Sequence, residues 1–316
     1  MAIRGERGIA RVLDKIEDSV NNGHYYEAHQ MYRTIYFRYL NQKKYVETLQ
    51  LLYKGSTLLL QRDQQTSGAD LGILLLEVLT KSETKPDEEW ISKISQIFGL
   101  MSKTIPERET FLTNAIKWSM NNNKKGHPLL HKKIAEVYWK EKKYSAAHKH
   151  FLHSDDGETF ATMLIELHTT KGYKAEVDLF ITQAVLQLLC LRNMKMALDA
   201  FNKYTATHPA ITNVTGPPYP FPLLDFLWFL FRAIEEKHVE KFNNLKESYA
   251  VTLKRDPCYS GYLKKVGRIW FGLEVKHERS HNSMIGGILR SIIGEVDSPD
   301  EDGDLDKHSG SAPDLD

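Results

Sequence analysis

Apolar residues recur at helical spacing along most of this chain. Residues 23–40, GHYYEAHQMYRTIYFRYL, follow a glycine turn and form an amphipathic helix whose buried stripe consists of Ala28, Met31, Tyr32, Ile35 and Tyr39. Related helix starts, rich in tyrosine and alanine, recur at residues 44–47, 143–147 and 196–198. Many short helices with small and aromatic residues at their contacts are typical of a tetratricopeptide-like α-solenoid. The pattern therefore predicts an all-α fold of stacked helical hairpins.

Helix-breaking clusters divide the chain at a fairly regular pitch, which predicts about a dozen or more helices. Residues 207–222 hold five prolines, so we expect one proline-rich, non-helical insertion there. After residue 296 the chain becomes acidic and poor in apolar residues, so we expect disorder. The predicted organisation is an N-terminal helical-repeat half (residues 1–150), a C-terminal helical-repeat half (151–296) and an acidic tail (297–316).

Composition narrows the classes of function. Lys and Arg number 42 and Asp and Glu 41, so the net charge of +1 attracts neither nucleic acid nor an anionic membrane. Two cysteines in 316 residues fit a reduced, intracellular protein, and we expect no signal peptide because the N-terminal residues lack an apolar core. The most apolar stretch, residues 221–234, contains Asp225 and Arg232 and is too short to cross a bilayer. We therefore expect a cytosolic (cytoplasmic) protein.

Histidines and paired carboxylates are the candidates for chemistry, and none of them forms a recognisable site. His148, His150 and His153 cluster, but no glutamate completes a zinc-protease pattern, and His148 and His150 point to different helix faces. Asp155 and Asp156 precede a new helix, which is typical of an N-cap. No glycine loop for phosphate follows a strand, and no nucleophile elbow is present. We expect no enzyme activity, no cofactor and no metal site.

Two basic surfaces near the N-terminus are candidates for protein recognition. The first helix carries basic residues three or four positions apart, opposite its apolar face: Arg4, Arg7, Arg11 and Lys15. On the second helix Arg33 and Arg38 flank Phe37, which points away from the buried stripe. Arginines around an exposed aromatic ring are typical of a binding hot spot, although a solvated charged face is the alternative interpretation.

Two apolar segments of the C-terminal half are further candidates. Residues 221–231, FPLLDFLWFLF, are apolar all round, which predicts burial on every side by the chain itself or by a partner, and a groove beside the insertion. A second stripe at helical spacing either caps the last repeat or docks elsewhere, and consists of Ile285, Ile288, Leu289, Ile292 and Ile293.

Several motifs together resemble one known family. They are residues 23–40, the Ser67-Gly68-Ala69-Asp70-Leu71 turn, Gly126-His127-Pro128, residues 151–157, Arg255-Asp256-Pro257-x-Tyr259 and Gly286-Gly287-Ile288-Leu289. Across roughly residues 15–293 the chain is similar to the Golgi-to-ER traffic protein 4 family, also described as the small helical subunit of the transmembrane-domain recognition complex. The resemblance implies a non-enzymatic adaptor that targets tail-anchored membrane proteins to the ER.

The resemblance also implies partners and contact residues. In this family the N-terminal half binds the targeting ATPase, which corresponds here to Arg11, Lys15, Arg33, Phe37, Arg38 and Asp70. The C-terminal half holds a ubiquitin-like-domain protein and, in the animal branch, a BAG-domain scaffold, which corresponds here to Ile211, Val214, Phe221, Leu224, Trp228, Phe231 and Tyr259. The motifs look closer to the animal arrangement than to the fungal one, which stays an alternative.

Other classes of protein compete with this interpretation. A tetratricopeptide co-chaperone for C-terminal carboxylates needs Asn, Lys and Arg at regular spacing on its inner helices, and no such series is visible. A helical-repeat subunit of a larger assembly, such as the proteasome lid, would be supported by a winged-helix segment near the C-terminus, and none is visible.

Overall fold

The computed structural model describes residues 2–120, 124–212 and 216–273, with the backbone alone at residues 2–10 and 13. In these ranges the chain forms fifteen α-helices, a short 3₁₀ turn at Lys174–Glu176 and no strand. The helices are α1 (Ala2–Asn21), α2 (Tyr25–Asn41), α3 (Tyr45–Gln61), α4 (Gln65–Lys81), α5 (Glu88–Leu100), α6 (Glu107–Ser119), α7 (Pro128–Lys140), α8 (Tyr144–Phe151), α9 (Gly157–Lys171), α10 (Val177–Cys190), α11 (Met194–Thr207), α12 (Pro222–Glu235), α13 (Val239–Ser248), α14 (Ala250–Leu253) and α15 (Cys258–Phe271).

The first hairpins repeat one design. Helices α2, α3 and α4 are each 17 residues long, and the turns that precede them place Gly23, Lys43 and Asp63 in the left-handed region, at φ of 79°, 56° and 60°. In the α2–α3 turn the backbone N–H of Lys44 donates to the carbonyl of Tyr39 at 3.0 Å, which closes the C-terminal end of α2. Such turns keep consecutive helices antiparallel and adjacent.

The hairpins stack on one another. Many consecutive helices pack together, as α2 does on α3 and α3 on α4, and several helices also pack on the helix two places along the chain, as α3 does on α5, α5 on α7, α4 on α6 and α9 on α11. Contacts between near neighbours in sequence are the signature of a solenoid. The predicted fold class is therefore confirmed.

Close packing of α2, α3 and α4 depends on Gly55 in the middle of α3. A Cβ atom at this position would lie 2.9 Å from Cε1 of Tyr32 on α2 and 2.9 Å from Cδ1 of Leu71 on α4. Only glycine lets both neighbours approach α3 this closely. The approach brings α4 within side-chain reach of α2 across the face of α3.

The proline-rich insertion lies between the end of α11 at Thr207 and the start of α12 at Pro222, and its described residues, 208–212 and 216–221, are non-helical, as the sequence predicts. Two buried histidines hold its first residues. The N–H of Ala210 donates to Nδ1 of His208 at 3.1 Å, so Nε2 of His208 carries the proton and donates to Nδ1 of His168 at 2.9 Å. Nε2 of His168 then donates to the carbonyl of Tyr173 at 3.0 Å. This chain of hydrogen-bonded imidazoles fixes the insertion to the loop after α9.

The described residues lie within one compact unit, residues 1–277, and α8 and α9 pack together across the proposed boundary at residue 150. The division into two functional halves stays a prediction. The predicted roles of the Arg4 and Arg7 side chains, of Val214, of the 285–293 stripe and of the acidic tail lie outside the described residues. No helix in the described ranges combines the length and apolarity needed to cross a membrane.

Candidate interaction surfaces

A cluster of four side chains, His29, Arg33 and Phe37 from α2 and Asp70 from α4, forms the first candidate surface and is called the Asp70 cluster. Nε2 of His29 lies 2.8 Å from Oδ2 of Asp70, and Nη1 of Arg33 lies 3.1 Å from each carboxylate oxygen. The three α2 residues are four positions apart, so they follow one face of the helix. One carboxylate therefore holds both polar side chains of that face in place.

The outer edge of the Asp70 cluster is an aromatic ring next to a cation. Phe37 is 51% exposed, and the guanidinium carbon of Arg33 lies 6.0 Å from its ring centroid. Its other neighbour is Tyr36, with the two ring centroids 4.9 Å apart. A large exposed ring beside an oriented guanidinium can bury area and donate hydrogen bonds in one contact, which is what a protein-binding hot spot needs.

The other predicted residues of this end are exposed but do not join the Asp70 cluster. Arg38 lies about 100° further round α2 than Phe37, because successive helical residues are separated by that angle. On α1 Arg11 and Lys15 are exposed, with Asp14 and Asp18 each three positions after one of them. The described part of the α1 face is therefore of mixed charge, whereas the sequence prediction considered only its basic residues.

His29 was not predicted to belong to this surface, whereas Asp70 was predicted as one of its contact residues. His29 is buried, and its spacing of four from Arg33 was a signal that could have found it. No sequence signal indicated that Asp70 would pair with both residues, since α3 intervenes between α2 and α4 along the chain. The structure brings Arg33, Phe37 and Asp70 together as an ordered unit.

The chain itself does not bury residues 221–231 on every side, because one face of α12 is exposed, and burial of that face by a partner stays a prediction. Phe229 is 43% exposed and Trp228 is half-buried, with their ring centroids 5.1 Å apart and the ring planes perpendicular. The guanidinium carbon of Arg232 lies 5.2 Å from the Trp228 ring centroid. Phe229 shares helical spacing with Asp225 and Arg232, which was the sequence signal for an outer face.

A groove of about 850 Å³ separates this face from α13 and is called the α12–α13 groove. Aromatic, aliphatic and charged side chains line it, among them Trp228, Phe229, Arg232, Lys241, Leu245 and Tyr249. A concave apolar surface rimmed by charge is suited to a protein segment that carries an apolar anchor. Of the predicted C-terminal contacts, Trp228 is the one that lines this groove.

Four of the predicted partner contacts are core residues in this conformation. Leu224 and Tyr259 are fully buried, and Ile211 and Phe231 retain 6% and 3% exposure. Phe221, the N-cap residue of α12, is half-buried. A direct contact of a partner with the buried side chains would require α12, α15 or the insertion that holds Ile211 to move.

Tyr259 belongs to a buried polar anchor at the start of α15. Arg255 Nη1 donates to Oδ1 and Oδ2 of Asp178 at 2.9 and 2.8 Å, and Asp178 is fully buried at the start of α10. The Tyr259 hydroxyl donates to the carbonyl of Leu179 at 3.2 Å. The Arg255-Asp256-Pro257-x-Tyr259 motif therefore fixes α15 against α10, which makes its role structural in this fold.

Three of the clustered histidines, His131, His150 and His153, pack against one another. Nε2 of His131 donates to the carbonyl of Lys125 at 2.8 Å, so its Nδ1 accepts from Nδ1 of His150 at 3.0 Å. Burial first, and the neighbouring histidines second, lower the pKa of His150 to about 3 and that of His153 to about 4. In the described part of the chain no group of three or more His, Cys, Asp or Glu side chains is placed to hold a metal ion.

Comparison with known proteins identifies the family. The family model described as Golgi to ER traffic protein 4 matches residues 42–293. The chain belongs to that family. Over 313 residues it is 44% identical to the Golgi to ER traffic protein 4 homolog of Oryzias latipes, a match that covers 99% of this chain and 96% of that protein. The human homolog is also 44% identical, over 314 residues, with coverage of 99% and 95%.

Further relatives agree with the Golgi to ER traffic protein 4 family. The Xenopus tropicalis homolog is 45% identical over 305 residues, which is 96% of this chain and 93% of that protein. The solved structure "Crystal structure of C. therm. Get4" superposes with a TM-score of 0.77 at 24% identity, covering 96% of this chain and 99% of that one. At that identity the superposition supports the helical solenoid. Family membership makes this chain one of a group of traffic proteins.

Proposed function

We propose that this protein is a non-enzymatic adaptor in the cytosol that helps to target tail-anchored membrane proteins to the ER. Its N-terminal half binds the targeting ATPase, and its C-terminal half binds a ubiquitin-like-domain protein and, in an animal-type complex, a BAG-domain scaffold. Holding the two partners on one chain raises the effective concentration of each near the other. No cofactor takes part.

One observation carries the proposal for the N-terminal half: an exposed Phe37 ring beside an Arg33 guanidinium that Asp70 holds in place. Ordering the guanidinium before binding lowers the entropy lost on association. Similarity to the relatives, which extends over 99% of the chain for the Oryzias latipes homolog, supports the assignment of this surface to the ATPase, since the motifs that carry the resemblance include both α2 and the Asp70 turn.

The α12–α13 groove supports the proposal for the C-terminal half. Its exposed Phe229 and half-buried Trp228 offer an apolar contact, and Arg232 and Lys241 lie at the rim in ion pairs with Glu235 and Glu236. Aromatic residues and arginine are enriched in protein interfaces. The ubiquitin-like-domain protein is the partner that we assign to it.

Calorimetry with the intact chain and each partner tests the proposal. Phe37→Ala should weaken ATPase binding about tenfold or more and leave binding of the ubiquitin-like-domain protein unchanged. Phe229→Ala should do the reverse, so each variant is the control for the other. Wild-type protein that binds neither partner would refute the adaptor function, and two variants that weaken both partners equally would refute the division into two surfaces.

A further inference from the structure

A second groove lies between α13, α14 and the start of α15, and is called the lysine groove. Its volume is about 490 Å³. Lys246, Lys254 and Lys264 stand around an apolar surface formed by Leu253, Pro257 and Leu263. Each lysine comes from a different part of the chain: α13, the residue after α14, and α15.

No carboxylate within the described residues pairs with the lysines of the lysine groove. None of the three ammonium groups forms an ion pair in the described ranges, and Lys246 lies over the Phe242 ring at 4.7 Å from its centroid. The carboxylate on the groove wall is Asp256, whose Oδ1 accepts the backbone N–H of Cys258 at 2.8 Å. The first turn of α15 adds partial positive charge at the same place. The groove therefore retains an excess of positive charge.

Apolar surface accompanies this charge. Leu253 on α14 is half-buried, and Val251 in the same helix is 83% exposed. Nucleic acid is a poor match, because three lysines give few phosphate contacts and no exposed aromatic ring lines the groove for base stacking. A segment with carboxylates on both sides of an apolar side chain would fit this groove. Its carboxylates would pair with the ammonium groups, and its apolar side chain would pack on the apolar residues.

We infer that the lysine groove binds an acidic segment of a partner protein, with one apolar side chain on Leu253 and Leu263 and flanking carboxylates on Lys246, Lys254 and Lys264. The inference adds an electrostatically selective site to the chain and does not depend on the proposed function. Such a site steers encounter with acidic partners and rejects basic ones.

Fluorescence anisotropy with the full chain tests this site. The probe is a labelled peptide in which Leu and Phe stand between runs of Asp and Glu, and its control replaces each acid by the amide. We expect the acidic peptide to bind at low salt and the amide peptide to bind at least about tenfold more weakly. Lys254→Glu with Lys264→Glu should weaken the acidic peptide by about tenfold or more. Leu253→Gln should weaken both peptides.

A matched double variant controls for net charge. Lys54→Glu with Lys195→Glu makes the same charge change at exposed positions on α3 and α11, and we expect it to leave the affinity nearly unchanged. Equal binding of the two peptides, no binding of either, or an equal loss in both double variants would overturn the inference. Sedimentation velocity of the free chain adds one more outcome. If the free chain self-associates and Lys254→Glu with Lys264→Glu abolishes this self-association, a second copy of the chain occupies the groove and a separate partner is refuted.

Discussion

Asp70 on α4 bonds Arg33 on α2 across the face of α3, with Nη1 of Arg33 3.1 Å from both carboxylate oxygens. The two residues are 37 positions apart in sequence and come from helices that are not consecutive. A contact of this kind exists only when the α2–α3 and α3–α4 turns both close correctly. The Arg33–Asp70 contact therefore depends on correct packing of the first repeats and also fixes the position of the guanidinium.

The Arg33–Asp70 pair should contribute modestly to stability. Both side chains are about one-third exposed, so solvent screens the attraction. A double-mutant cycle with Arg33→Ala and Asp70→Ala should give a coupling energy of about 0.5–1 kcal/mol in urea unfolding. A coupling near zero would mean that Asp70 does not fix Arg33, and the argument for a preorganised hot spot would fail.

The Arg33–Asp70 pair should affect binding of the targeting ATPase more strongly than it affects the free energy of unfolding. Asp70→Asn keeps the shape of the side chain but weakens its hold on the guanidinium, so we expect several-fold weaker binding of the targeting ATPase by calorimetry. Asp63→Asn makes the same charge change at an exposed position outside the cluster, so it separates a general charge effect from the loss of order. Equal losses in the two variants would show that charge alone matters.

The Gly55 position gives a sharp test of the α2–α3–α4 packing. Gly55→Ala places a methyl group 2.9 Å from side-chain carbons of Tyr32 and Leu71, so the unfolding free energy should fall by about 1–3 kcal/mol. Gly99 on α5 is the matched control, because its Cβ would meet Val137 at a comfortable 3.6 Å. Gly99→Ala should be neutral or stabilising by up to about 1 kcal/mol. Thermal or urea unfolding of both variants measures the contrast.

The local part of the fold was predictable from sequence. The 3.6-residue period marked the helices, the prolines marked the break before α12, and Asp156 caps α9 by accepting the N–H of Thr159 at 2.9 Å, as expected for an N-cap. The exposed ring of Phe37 was also predictable, because it lies off the apolar stripe of its own helix.

Features set by tertiary packing were not predictable. Lys43 and Asp63 adopt a left-handed backbone that favours glycine, because closing each hairpin requires it. Tyr259 and Ile211 looked available for a partner, and burial against helices distant in sequence places them in the core. Phe229, by contrast, was expected to be buried because it lies in an apolar run. Only its helical spacing from the polar residues Asp225 and Arg232 indicates that it faces outward.

The Arg255–Asp178 pair should contribute far more to the free energy of unfolding than the partly exposed Arg33–Asp70 pair does. Arg255→Ala leaves a fully buried carboxylate without its cation, so the unfolding free energy should fall by about 3 kcal/mol or more. Lys254→Ala, which removes the exposed neighbouring cation, should change stability by less than about 0.5 kcal/mol. Similar effects of the two changes in urea unfolding would show that Asp178 is satisfied without Arg255.

The histidines between α7 and α9 should make stability fall in mild acid. Burial holds the pKa of His150 near 3 in the folded state, whereas an ordinary histidine titrates near 6.5. Between these values the unfolded chain binds the extra proton, so stability is complete above pH 6.5 and decreases as the pH falls. From pH 7 to pH 5 His150 alone should account for about 2 kcal/mol.

Urea unfolding of His150→Asn measures this effect. The amide N–H of asparagine can replace the Nδ1 donor to His131 but cannot take up a proton in this range. The variant should lose less stability between pH 7 and pH 5 than the wild type, whatever its stability at pH 7. Identical slopes would show that His150 is protonated equally in the folded and unfolded chain.

Two neighbouring phenylalanines on α12 should separate stability from recognition. Phe226 is fully buried, so Phe226→Ala should lower the unfolding free energy by about 3–5 kcal/mol. Phe229→Ala removes a ring that is 43% exposed on the α12–α13 groove, so its cost should be less than about 1 kcal/mol. The affinity for the ubiquitin-like-domain protein should nevertheless fall about tenfold or more in the stable Phe229→Ala variant.

Unfolding curves measure the stability part of this prediction, and calorimetry on the same preparations measures the binding part. If Phe229→Ala binds the ubiquitin-like-domain protein as tightly as the wild type does, the α12–α13 groove is not the partner site, because removing an anchor residue from an interface lowers the affinity.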